Sequence, residues 1–155
     1  MQRLMESEMV IGEAQATHHR VEAHLARLGI PGVLELTGAS STPGALTKGD
    51  IDLHLRVEPA SFADVLSQLD ETLERANLHA WADTLAVYNV PGDTATEMAV
   101  TPVGSEHDRR FSLAWERLRS EPQVLDEYNS LKSTAFGTPS YDTLKAAFFT
   151  SITAS

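Results

Sequence analysis

The sequence predicts an α+β protein, a mixed sheet with helices on one side followed by a helical C-terminal third. Two periodicities and their order along the chain carry this expectation. Residues 50–57 and 95–102 alternate polar and apolar side chains, the pattern of strands with one face in a core. Residues 3–28 and 61–73 repeat apolar side chains at helical spacing, and after Gly104 every apolar stripe is helical.

The first helix spans residues 3–28, with Ala14, His18, Val21, Leu25 and Leu28 on one stripe, and Gly29 before Pro31-Gly32 ends it. Its three histidines, His18, His19 and His24, lack an i,i+4 partner histidine and read as solvated or packed imidazoles. A short strand at residues 33–36 runs into a turn at Gly38, and a second strand follows Lys48-Gly49 and stops at Pro59. Ser61 with Asp64 resembles a capping box for the next helix, striped by Phe62, Val65, Leu66, Leu69 and Leu73. Residues 80–90 are rich in strand formers, and Pro91-Gly92-Asp93 turns the chain into the strand at 95–102. There Glu97, Ala99 and Thr101 share one face, and Met98, Val100 and Pro102 the other. Phe111, Ala114, Trp115 and Leu118 stripe the next helix, and Pro122 opens another carrying Val124, Leu125, Tyr128 and Leu131. Gly137-Thr138-Pro139 breaks that one before a last stripe of Tyr141, Leu144, Phe148 and Ile152.

At 155 residues the chain fits a single domain, 1–155, with enough length to bury a core. Its 22 acidic and 12 basic residues give a net charge of -10. Such a surface repels polyanions, so duplex nucleic acid and membranes are disfavoured as partners, whereas a small nucleotide carried with Mg²⁺ is compatible. With no cysteine, the chain has no disulfide, no thiolate chemistry and no cysteine-held zinc. No apolar run approaches the ~18 residues of a membrane span, and no basic-then-apolar leader is visible, so the expected location is cytoplasmic.

The stretch most suggestive of chemistry is TGASSTPGALTKGDIDLHLRV, residues 37–57. Gly38, Ala39, Ser40 and Ser41 form a small-residue turn where backbone can approach a ligand. On the strand that follows, Asp50, Asp52, His54 and Arg56 point one way, while Ile51, Leu53, Leu55 and Val57 point into a core. Paired carboxylates at i and i+2 behind a Gly/Ser turn suit a divalent metal and a phosphate. Acidic residues on an open strand face are common, so the turn at the right distance is what lends them weight.

This pattern resembles the DNA polymerase beta-like nucleotidyltransferase superfamily, in which a glycine and a small residue are followed some ten residues later by Asp-hydrophobic-Asp-hydrophobic. More closely, TGASSTPGALTKGDIDL is similar to the signature of its GrpB-like branch. The likeness extends through Leu118-Arg119, Pro122, Tyr128, Leu131-Lys132, Tyr141, Lys145 and Phe148 to about residue 152.

The resemblance implies a nucleotidyltransferase-like mixed sheet flanked by helices. It also implies transfer of a nucleoside monophosphate from a nucleoside triphosphate to a small-molecule or protein acceptor, with release of pyrophosphate. Two Mg²⁺ ions about 3.5–4 Å apart would neutralise the developing phosphoryl charge. Carried over by position, Asp50 and Asp52 are the metal ligands, and Gly38 with Ser40 or Ser41 is the phosphate turn. Lys48 and Lys132 are cations for the nucleotide, and Glu97 is the third, catalytic carboxylate. His54 stands on the same strand face as a supporting group. Of the other cations, Arg109, Arg110, Arg117, Arg119 and Lys145, spacing does not say which face a cleft. Ala39 departs from the serine or glycine usual in the family, which removes one hydroxyl contact. That departure, with the third carboxylate resting on Glu97, keeps open a catalytically silent nucleotide-binding or regulatory module, and the acidic surface keeps open an acidic subunit for a basic protein partner. The sequence leaves homodimer formation open.

Overall fold

The computed structural model describes residues 3–154. The elements run β1 (Met5–Glu6), α1 (Ile11–Arg27), β2 (Val33–Thr37), β3 (Leu46–Thr47), β4 (Ile51–Val57) and α2 (Phe62–Thr72). They continue as β5 (Glu74–Arg75), β6 (Ala86–Val90), β7 (Thr96–Pro102), α3 (Glu106–Ser120), α4 (Pro122–Ala135) and α5 (Tyr141–Thr153). Five strands form a mixed sheet in the order β2-β4-β7-β6-β5, with β4 and β7 parallel at its centre and the other neighbours antiparallel. The architecture is α+β, as the periodicities predict.

Ile51, Leu53, Leu55 and Val57 of β4 are buried with Met98 and Val100 of β7 against α1 and α2, through Val21, Leu25, Val65 and Leu69. The alternation read from the sequence is therefore the alternation of the core. The helical C-terminal third covers part of the opposite face, so the sheet is flanked by helices as expected. Ala114, Leu118, Val124, Tyr128 and Ile152 of α3, α4 and α5 bury Ala39 and Ala45, clamping the helical third onto the Gly38 loop.

Three local expectations yield to longer-range bonding. The first helix starts at Ile11 rather than residue 3. The preceding residues instead pair β1 with β3, and Ser7 donates its N–H to the Ala45 carbonyl and its hydroxyl to the Thr42 carbonyl. Ser61 makes no side-chain cap, because the turn from Pro59 to Ser61 carries the chain into α2 instead. Of residues 80–90 only Ala86–Val90 is strand. A tight turn at Leu78–Ala80 and a single bridge between Ala82 and Leu85 occupy the approach to it. No helix among the described residues is long and apolar enough to cross a membrane.

Candidate functional site

β4 and β7 lie side by side in parallel, and their register sets Asp52 opposite Glu97. On its other side Asp52 faces Thr37, the last residue of β2 before the Gly38 turn. Two carboxylates and the turn are thereby brought to one end of the sheet by main-chain pairing alone. Gly38 has φ +81°, the left-handed region that favours glycine, and a Cβ there would stand 2.8 Å from the Cβ of Asp52. The turn passes so close to Asp52 that no side chain fits between them.

Asp52 and Glu97 open into a cleft of about 420 Å³, within the range of small-molecule sites. Thr37, His54 and Ala99 continue its floor. Phe111, Ala114 and Trp115 from α3 and Phe149 from α5 make an apolar wall, and Lys145 and Arg110 supply positive charge. Trp115 is held edge-on to Tyr128 at 5.9 Å and tilted against Phe149 at 5.6 Å between ring centres. Burial, and after it the Asp50 carboxylate, push the Asp52 carboxyl up to about 7. Lys145 opposes this, Glu97 adds to it, and Lys48 opposes it. The carboxylates thus repel one another through a poorly solvated space.

Each residue singled out in the sequence has a definite place. Asp50 is half-buried at the start of β4, 3.8 Å from the Lys48 ammonium, and neither lines the cleft. The Ser40 hydroxyl is buried, donates to the Asp50 carbonyl and shares a 2.8 Å hydrogen bond with Thr47. The hydroxyl is thus engaged by the turn and the start of β4. Ser41 donates to the Gly38 carbonyl at 3.1 Å, and Thr42 to the same oxygen at 2.9 Å. Lys132 is buried, donates to the Leu46 carbonyl at 2.8 Å and lies over the Tyr128 ring. Burial pulls its amine down to about 8, and Lys145 adds to this. Of the remaining cations, Lys145 and Arg110 line the cleft, whereas Arg117 is bound to Glu121 and the Ile152 carbonyl and Arg109 to the Gly104 carbonyl.

Beneath the cleft lies a network that strand alternation did not reveal. Asp108 at the start of α3 is buried and accepts both Arg56 Nε at 2.7 Å and Nη2 at 2.8 Å. It also accepts the Gly104 N–H at 2.9 Å and the Thr101 hydroxyl at 3.1 Å. Since Thr101 donates to Asp108, it accepts from His54 Nε2 at 2.8 Å, which places the imidazole proton on that nitrogen. Arg56 holds Asp108 down to about 2, while burial lowers His54 and keeps it neutral. His54 is therefore packed under α3, edge-on to Phe111, rather than open. An acid three residues beyond the Ser105 cap was the one local signal for Asp108; its partner Arg56 lies in another element.

The donor set fits a divalent cation in chemistry: oxygens of Asp52 and Glu97 on adjacent strands, with Asp50 near enough to Asp52 for their charges to interact, are the hard ligands Mg²⁺ prefers. They are not drawn into a closed cage. Among the described residues, the group of three His, Asp or Glu donors that all lie within 4.8 Å of one another is His18, His19 and Glu22 on α1.

A comparison with curated protein sequences returns no match. Solved structures share the fold. A conserved protein GrpB from Enterococcus faecalis superposes with a TM-score of 0.73 at 17% identity, covering 97% of this chain and 94% of that one. Cid1 poly(U) polymerase bound to MgGTP gives 0.52 at 17% identity, covering 91% of this chain and 50% of that one. GLD-2 in complex with RNP-8 gives 0.57 at 13% identity, covering 93% and 57%. The chain thus spans a little over half, at most, of these two larger proteins, and shares with them the nucleotidyltransferase-like fold. The model of the family described as GrpB protein matches residues 11–155. With a matching fold and nearly its whole length covered, this chain belongs to the GrpB family.

Proposed function

We propose that the protein binds a nucleoside triphosphate with Mg²⁺ in the cleft above β4 and β7 and transfers its nucleoside monophosphate to a small-molecule or protein acceptor. The observation that carries this reading is the parallel register of Asp52 with Glu97, next to a glycine turn packed on the Asp52 carboxyl. In the reaction, a bond forms between the acceptor oxygen and the α-phosphorus, the bond to pyrophosphate breaks, and the acceptor proton is released. Bound Mg²⁺ would neutralise charge on the phosphoryl oxygens and polarise the acceptor hydroxyl. Asp52 and Glu97 of the cleft would hold it, joined by Asp50 from beside the cleft. The Gly38 backbone lets the phosphates approach the carboxylates, and the Lys145 ammonium faces them across the cleft. Phe111, Trp115 and Phe149 exclude water and give the base an apolar wall.

Titrating Mg²⁺ and a panel of nucleoside triphosphates into the wild type and an Asp50→Ala/Asp52→Ala variant tests the site. Metal-dependent binding by the wild type and its loss in the variant are expected; identical binding by both, or by neither, sinks the assignment.

A second reading, binding without transfer, is favoured by two specific features. The Ser40 hydroxyl is spent within the fold, and Asp50, Asp52 and Glu97 are not closed into a cage. Pyrophosphate release over an acceptor library separates the two: nucleotide binding with no release supports the silent module.

A further inference from the structure

On the face of the sheet opposite the cleft, α1 and α2 leave a groove of about 370 Å³. Its floor is apolar, built from Val21 and Leu25 of α1 and Leu69 of α2, all buried. Its rim is cationic. Arg20, His24 and Arg27 recur at i, i+4 and i+7, so α1 carries them along one side next to the apolar stripe that forms the floor. No carboxylate lines the groove among the described residues, in a chain whose net charge is -10. Arg20 spends one N–H on the Pro91 carbonyl at 3.2 Å and keeps the rest of its guanidinium at the rim. Arg27 makes no ion pair or side-chain hydrogen bond among the described residues, although acids are plentiful elsewhere on the surface.

We infer that this groove binds a small anionic amphiphile, a carboxylate on a short apolar chain, with the chain along the apolar groove and the head on the cationic rim, at Arg20 or Arg27. The volume is that of a small-molecule site. Guanidiniums along the rim of an apolar trough complement a carboxylate in charge, and each can meet it with its planar fork. A neutral apolar ligand would leave those cations unused, and a cationic one would be repelled.

The test is calorimetric titration of the full-length protein with octanoate, using octanol, octylammonium and acetate as probes of chain and head separately. Octanoate is expected to bind once per chain. Octanol, and octanoate with an Arg20→Gln/Arg27→Gln variant, are expected to bind at least about tenfold more weakly, the loss of charge-assisted hydrogen bonds to the head. Acetate alone and octylammonium are expected not to bind. Thr72→Trp, at an exposed position lining the groove, should block octanoate by filling it. The Asp50→Ala/Asp52→Ala variant should bind octanoate as the wild type does, so failure of the nucleotide site and failure of this one remain distinct. Octanol binding as tightly as octanoate, non-saturating uptake, or unchanged affinity in both groove variants overturns the inference.

Discussion

The absent side chain of Gly38 and the carboxyl group of Asp52 occupy the same space. A Cβ on Gly38 would lie 2.8 Å from Asp52 Cβ and 3.0 Å from Cγ and would overlap Oδ2, at a residue whose φ is +81°. The turn and the acidic strand are therefore one unit: moving either moves the carboxylate that faces Glu97. Gly38→Ala is expected to lose about 1–3 kcal/mol of stability from backbone strain and to weaken Mg²⁺ binding by displacing Asp52. Thermal unfolding with a parallel Mg²⁺ titration checks both; an alanine variant with wild-type unfolding and affinity would show that the close approach is not needed.

Asp52 should set opposite demands on stability and on binding. Its folded carboxyl titrates near 7, against 3.8 for an ordinary aspartate, so between these values the folded state holds a proton that the unfolded state has lost. Stability contributed by this group is present at low pH and falls as pH rises through about 7. Asp52→Asn should accordingly raise stability above pH 7 by about 1–2 kcal/mol while removing Mg²⁺ binding. In the wild type, Mg²⁺ affinity should climb with pH through the same interval, since the ligand is the carboxylate. Chemical denaturation across pH 5–9 with metal titration at each point measures the two trends.

Asp108 contributes with the opposite sign. Its folded carboxyl sits near 2, below the unfolded value of 3.8, so its stabilisation is present above about pH 4 and disappears as pH falls towards 2. Arg56→Met leaves that buried carboxylate with the Thr101 hydroxyl and Gly104 N–H as remaining partners. A loss of about 3 kcal/mol is expected from stranding a buried charge. The acid limb of the variant's stability profile should move to higher pH, and an unchanged profile would mean that Arg56 is not what holds Asp108 down.

Lys145 and Lys132 should separate cleanly in function. Lys145 lines the cleft and its charge opposes the rise of Asp52. Lys145→Met is expected to weaken triphosphate binding about tenfold, the value of one charge-assisted contact, and to push the pH midpoint of Mg²⁺ binding upward. Lys132→Met removes the donor to the Leu46 carbonyl and should lower the unfolding temperature while changing nucleotide affinity less. Equal effects of the two on affinity would restore Lys132 as a ligand contact.

Ser40→Ala provides the complementary control. The hydroxyl it removes is buried and joins Thr47 and the Asp50 carbonyl across the turn. About 1–2 kcal/mol of stability should be lost from these buried hydrogen bonds, with triphosphate affinity close to wild type once folding is accounted for. A selective loss of affinity at unchanged stability would instead return Ser40 to the phosphate site.

The sequence by itself determined what depends on spacing along one element. Alternation from Ile51 to Val57 placed four apolar side chains in the core because strand side chains alternate whatever the neighbours are. The same rule put Asp52 and Glu97 on the face away from that core, and the glycine turn with the acidic strand carried the GrpB likeness that the family match bears out. Tertiary structure alone decided which side chains meet. The Asp52–Glu97 register depends on β4 and β7 becoming parallel neighbours, and the intervening chain does not encode that locally. Arg56 and Asp108 join only because α3 folds over the sheet, and a buried carboxylate is stable only with such a partner. Ser40 and Lys132 likewise act as internal donors, to the Asp50 and Leu46 carbonyls, partners that spacing along the sequence does not reveal. Residue type and spacing are local properties, whereas desolvation and pairing across the fold set the protonation and contacts of those same groups.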